Sequence, residues 1–138
     1  MNISRELLDE LVGHVAEDPR NELCGVVAVA DDGSPPGSRR AVSVHRAGNL
    51  HASPLRFEIE PIELYRLNSE IEDGGCELGA IYHSHVRSDP YPSQTDINYA
   101  AGWPGVEWVI VGLAGAEPLT RSYLIEDGRV REIPLEIS

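Results

Sequence analysis

"ELGAIYHSH", residues 77–85, is the stretch around which the rest of the chain can be organised. An apolar run of strand length closes on two histidines one residue apart. In a strand, residues i and i+2 point to the same face. His83 and His85 therefore project side by side from one strand end. Two imidazoles on one face supply half of a tetrahedral metal site. The segment that follows, "VRSDPYPSQTD" (86–96), is punctuated by prolines and ends on Ser93 and Asp96. A Ser three residues ahead of an acid starts a helix, with both residues in its first turn. The "PYP" step can turn the chain back over the strand end, bringing Asp96 to the histidines.

Upstream, Ile3, Leu7, Leu8, Leu11, Val12 and Val15 recur at helical spacing. They predict a helix over about 4–17, capped by Ser4, stapled by Ile3 against Leu8 and ended by Pro19. "LCGVVAVA" (23–30) is a continuous apolar run that suits a strand covered on both faces. "DDGSPPGSRR" (31–40) reads as a turn, and "AVSVHR" (41–46) as the returning strand. Residues 47–60 are irregular, with an extended piece at "RFEIE". Pro61 opens a second helix striped by Leu64, Leu67 and Ile71 and stopped by Gly74-Gly75. Ser93 caps a third helix through about Ala101. Strands follow over 106–113, 119–125 and 130–137, the last two joined as a hairpin by Asp127-Gly128. The order α-β-β-α-β-α-β-β-β predicts an α/β (α+β) fold over 1–138 as a single domain. Its one mixed, mostly antiparallel sheet is wrapped by helices.

Composition bounds the function. The chain has 138 residues, 41% of them apolar and 25% charged, with a net charge of −12. That balance suits a soluble globular protein. An acidic surface repels phosphate backbones, which argues against nucleic acid as a partner. No stretch approaches the roughly 18 apolar residues of a membrane span, and the acidic start lacks a signal peptide's apolar run. Cys24 and Cys76 are far apart and form no CxxC pair, so reduced thiols and a cytoplasmic setting are expected. His14, His45 and His51 have no partners at ligand spacing and read as surface or loop residues.

His83, His85 and Asp96 form a His, His, Asp set for zinc, with a fourth position left for water, as in catalytic sites. Hydrolysis at such a site also needs a general base. Glu22 is the candidate, at the entry of the 23–30 strand, where a sheet-edge position rather than burial is expected. The Ser93 hydroxyl could donate to the oxyanion of a tetrahedral intermediate. Each has a plain alternative. Ser93 and Asp96 are also a capping box, and Glu22 is also a solvated residue before a strand.

His83, His85, Ser93 and Asp96 together spell H-x-H-x7-S-x2-D, with Glu22 upstream in "NELCGVV". This pattern resembles the JAMM (MPN-plus) metalloprotease family without a gap. "PRNELCG", "NLHASPLRFEIEP" (49–61) and "GAIYHSHVRSDPYPSQTDI" (79–97) look like its small bacterial members. The resemblance implies a cytidine-deaminase-like fold, one Zn2+ held by His83, His85 and Asp96, Glu22 as acid/base, and Ser93 assisting the tetrahedral intermediate. It implies a hydrolase acting beside the C-terminal Gly-Gly of a ubiquitin-like sulfur-carrier protein and releasing cysteine. The alternative is a desampylase-like isopeptidase acting on lysine conjugates, and a lesser one is a non-catalytic binding scaffold. A closed structural zinc site would need Cys24 as fourth ligand. A homodimer is left open. Val86-Arg87 departs from the family's pattern after the second histidine and puts the shape of that loop in question.

Overall fold

In a computed structural model describing residues 1–138, the chain forms eight strands and three helices. In order these are β1 (Asn2–Ile3), α1 (Arg5–Val15), β2 (Cys24–Ala30), β3 (Ala41–Ala47), α2 (Pro61–Asp73) and β4 (Cys76–His85). They continue as α3 (Gln94–Ala100), β5 (Glu107–Gly112), β6 (Leu119–Glu126), β7 (Arg129–Ile133) and β8 (Glu136–Ile137). Six strands make one sheet in the order β3-β2-β4-β5-β6-β7. Only β4 and β5 run parallel; the other neighbours are antiparallel. The mixed, mostly antiparallel sheet expected from the element order is the one found.

Local chemistry sets the boundaries. The Ser4 hydroxyl accepts from the Leu7 N–H at 3.1 Å and caps α1. Pro61 occupies the first turn of α2, where its missing N–H costs nothing. Asp127 and Gly128 both have positive φ, at 52° and 74°, as a tight hairpin between β6 and β7 requires. The expected strand over 130–137 is split. Pro134 lacks the N–H that would continue the ladder, so β7 stops at Ile133. Residues 136–137 pair instead with β1 as a separate parallel ribbon that the sequence did not announce. "RFEIE" is extended but joins no strand.

The sheet is buried on both faces. Alternate residues of β2 and β5 (Val26, Ala28, Trp108, Ile110) face a core completed by Phe57, Ile59 and the α2 stripe. Their neighbours (Val27, Val29, Val109, Val111) face a second core with Leu8, Leu11 and Val15 of α1. The β4 register against β2 slips by one residue between Leu78 and Ala80. Gly79 is the extra residue, and a Cβ there would run into Val29. The slip lets Leu78 and Ile81 share one face of the sheet.

His14 corrects the sequence reading. It is buried, not at the surface, because it shares the α1 stripe with Leu11 and Val15. Its Nδ1 lies 2.7 Å from the Tyr82 hydroxyl, which supplies the hydrogen bond a buried imidazole needs. Burial and the Arg46 guanidinium hold its pKa below the ordinary value. His45 is half-buried on β3 beside Ser43, and His51 lies in a loop paired with Glu58 at 3.1 Å.

Tyr82 lies across Gly25, its directly opposed residue on β2. A Cβ at Gly25 would overlap the Tyr82 ring end and the His45 carbonyl. Gly25→Ala should therefore destabilise the fold by about 1–3 kcal/mol, the usual cost of overpacking. A lowered urea midpoint would show it; an unchanged midpoint would mean that Tyr82 is free to move.

Candidate active site

The site follows from one register. Because β2 runs antiparallel to β4, its N-terminal end meets the C-terminal end of β4. Cys24 opposes His83 and Gly25 opposes Tyr82. Continuing that register sets Leu23 against Ser84 and Glu22 against His85. Two bonds lock the step: the Leu23 N–H donates to Ser84 Oγ at 3.0 Å, and the Ser84 N–H donates to the Leu23 carbonyl at 3.1 Å. Glu22 thus shares a sheet face with both histidines. Its burial corrects the sheet-edge expectation: it is 4% exposed, because β2 lies inside the sheet between β3 and β4.

From the other side, the 86–93 loop returns the chain and α3 begins. Ser93 Oγ accepts from the Asp96 N–H at 3.1 Å, and the Ser93 N–H donates to Asp96 Oδ2 at 2.9 Å. This is the capping box, and it aims Asp96 at the histidines. Gly112, at the end of β5, lets Pro90 of the loop lie against it, since a Cβ there would press on the proline ring. The Tyr123 hydroxyl donates to the Pro90 carbonyl and fixes the same point.

His83 Nε2, His85 Nε2 and Asp96 Oδ2 converge, with separations of 3.2, 3.1 and 3.1 Å. Donors bound tetrahedrally at about 2.0–2.1 Å from zinc would stand about 3.3 Å apart. The triangle fits such an ion closely. The hydrogen bonding favours positive charge at the same point. His85 Nδ1 faces the Asp89 carbonyl at 2.8 Å, so that nitrogen carries a proton. Burial works to lower the His85 pKa, but the Asp96 carboxylate and the Asp89 carbonyl raise it. Between its Nε2 and the Asp96 carboxylate either a proton or a metal ion supplies the positive charge. Glu22, His83 and His85 also offer ligand atoms within 4.8 Å of one another. These residues can hold a metal.

The charges are tuned by their surroundings. Burial pushes the Glu22 carboxyl up to about 8, with His85 opposing and Asp96 adding to the shift. Its Oε1 has no hydrogen-bond partner. Burial works against an ionised Asp96, but His83, the imidazole hydrogen bonds and the Ser93 N–H outweigh it. They hold Asp96 well below the usual carboxylate range. Burial lowers His83, against the pull of Asp96.

Cys24 does not complete a closed site. Its thiol points to the Ala47 and Gly48 carbonyls, at 3.9 and 3.6 Å, and burial pushes its pKa up to about 12. Both cysteines are free. Phe57 went unread in the sequence. Its ring stacks on His83 with centroids 4.1 Å apart and an interplanar angle of 22°. As the chain's only Phe, inside an otherwise irregular segment, it was the available signal.

Known proteins match the chain along most of its length. The model of the prokaryotic homologs of the JAB domain matches residues 4–126. The chain belongs to this family. It is the JAMM/MPN grouping that the motif resembles. The chain is 33% identical over 115 residues to a desampylase of Haloferax volcanii, covering 80% of this chain and 78% of that one. It is 32% identical over 136 residues to a CysO-cysteine peptidase of Mycobacterium tuberculosis, covering 98% and 89%. A solution structure from Desulfitobacterium hafniense superposes with a TM-score of 0.86 at 25% identity, covering 99% and 92%. No helix is long and apolar enough to cross a membrane.

The donor triangle predicts about one transition-metal ion per chain. His83→Ala and Asp96→Ala should each lose it, as measured by elemental analysis of the purified variants. Full metal in either variant would overturn the ligand assignment.

Proposed function

We propose that this protein is a zinc-dependent hydrolase that cuts the amide bond after the C-terminal Gly-Gly of a ubiquitin-like sulfur-carrier protein, releasing cysteine. The observation that carries the reading is the convergence of His83, His85 and Asp96 beside the buried Glu22 carboxyl, whose Oε1 has no partner. In this reading His83, His85 and Asp96 hold zinc. When bound, zinc supplies Lewis-acid polarisation of a carbonyl and acidifies water at neutral pH. Beside a cation held by these ligands, the Glu22 carboxyl would return to its ionised form. Glu22 Oε1, free of other partners, would then take a proton from the attacking water and pass it to the leaving amine. The Ser93 hydroxyl already accepts from the Asp96 N–H, which leaves its own hydrogen to donate to the developing oxyanion. Phe57 covers one face of His83 and keeps water from it.

The substrate reading draws on the relatives. The CysO-cysteine peptidase aligns over 98% of this chain, which favours a carrier–cysteine adduct. The second reading, release of a modifier from lysine, is favoured by the desampylase match. Residues 1–138 act as one catalytic unit, and the two free cysteines suit the cytoplasm.

Two expected outcomes follow from the assigned roles. Glu22→Gln should keep its metal and lose on the order of 10² to 10⁴ in kcat, the range for removal of a general acid–base. Ser93→Ala should lose rate and also about 1 kcal/mol of stability with the helix cap. Stability loss at unchanged kcat would leave Ser93 as a cap alone.

The substrate is decided by mass spectrometry of a carrier–cysteine adduct and a carrier–lysine isopeptide, each incubated with the zinc-loaded protein. Loss of one cysteine mass is the expected result. Cleavage of the isopeptide alone would favour the second reading, and cleavage of neither would overturn both.

A further inference from the structure

Glu22 stands two residues before β2, and neither of its main-chain polar groups is held by a neighbouring strand of the sheet. Its N–H donates to the Ser53 carbonyl at 2.8 Å. Its carbonyl accepts from Asn49 Nδ2 at 3.0 Å. The same Nδ2 donates to the Arg56 carbonyl at 3.1 Å. Asn49 Oδ1 accepts from the His51 and Glu58 N–H groups, both at 3.1 Å. A primary amide has two donors and two acceptor positions, and here all four are used. Three of these bonds close the 49–58 loop on itself, and the fourth reaches Glu22. That loop also carries Phe57, the ring stacked on His83.

We propose that Asn49 is a positioning residue for the reaction: its side-chain amide fixes the Glu22 backbone and the Phe57 loop as one unit against the histidines. The inference rests on the role given to Glu22 above. The chemistry at position 49 is demanding. Asp has the shape of Asn but no donors, and would set an oxygen against the Glu22 and Arg56 carbonyls. Ala would leave both carbonyls without that partner. In either variant the bond from the Glu22 N–H to Ser53 remains, so Glu22 shifts rather than comes loose. A displacement of about 1 Å at a reacting group costs roughly 10² in rate.

The test uses the zinc-loaded full chain with Asn49→Asp and Asn49→Ala, each alone and combined with Glu22→Gln. Alone, both variants should hold one metal per chain and lose on the order of 10² in kcat, with KM little changed. In the Glu22→Gln background, the further loss in residual rate should be within about threefold, because the misplaced base is already gone. Amide hydrogen exchange should quicken over 20–24 and 49–58 and stay unchanged over 107–112. Wild-type kcat in Asn49→Asp would overturn the proposal. So would an equal loss in both backgrounds, or failure of both single variants to fold and hold metal, since each marks a general structural role. If the wild-type protein cleaved neither substrate, the hydrolase reading would fail. The exchange measurement would then decide the placement of Glu22 by itself, and unchanged exchange over 20–24 would overturn it.

Discussion

Three donor atoms within about 3 Å of one another, in a place closed to solvent, are the constraint on which this structure turns. His83, His85 and Asp96 are each under 5% exposed, and so is Glu22 beside them. Burying ionisable groups without partners is costly, and burying four together compounds the cost. The donors offset part of that cost by facing a common point, where they bond one another and can hold a cation. Each is also held by backbone from a different direction: the β4 ladder for the histidines, the capping box for Asp96, and the 49–53 loop for Glu22.

The layers on either side make this rigid. Tyr82 and Ser84, which alternate with the histidines along β4, face the α1 layer. Tyr82 packs over Gly25 and bonds His14, while Ser84 clips Leu23. The strand that presents the histidines on one face is therefore anchored through the other. On the ligand side, the α2 stripe and Phe57 fill the core right up to His83. A strand pinned on both faces allows little rotation of its side chains, so the two imidazoles are held in the arrangement that meets Asp96.

Ser93 and Asp96 show two readings that need not compete. The S-x-x-D pattern is a helix cap by its hydrogen bonds, and the capping bond from the Ser93 N–H is one of the contacts that aim Asp Oδ2 at the imidazoles. A local rule of helix initiation here orients the Asp96 carboxylate toward the two imidazoles. The Glu22 carboxyl is a different case. Nothing local orients it, and its placement depends on a strand pairing with a partner about sixty residues away and on a loop further along the chain.

That contrast marks what the sequence by itself determined. Patterns carried by neighbouring residues were legible: the helix stripes, the Asp127-Gly128 hairpin, the H-x-H pair on one strand face, and the Ser93–Asp96 cap. Their periods and turn chemistry are set within a few residues. Pairing and register were decided only in three dimensions. The slip at Gly79, the pairing of residues 136–137 with β1, the burial of His14 and Glu22, the stacking of Phe57 on His83, and the bond from Asn49 to the Glu22 carbonyl all depend on it. A shift of one residue between β2 and β4 would turn Glu22 to the opposite face of the sheet, and no local preference forbids it. Only the packing of both cores against that sheet selects the register that brings Glu22 to His85.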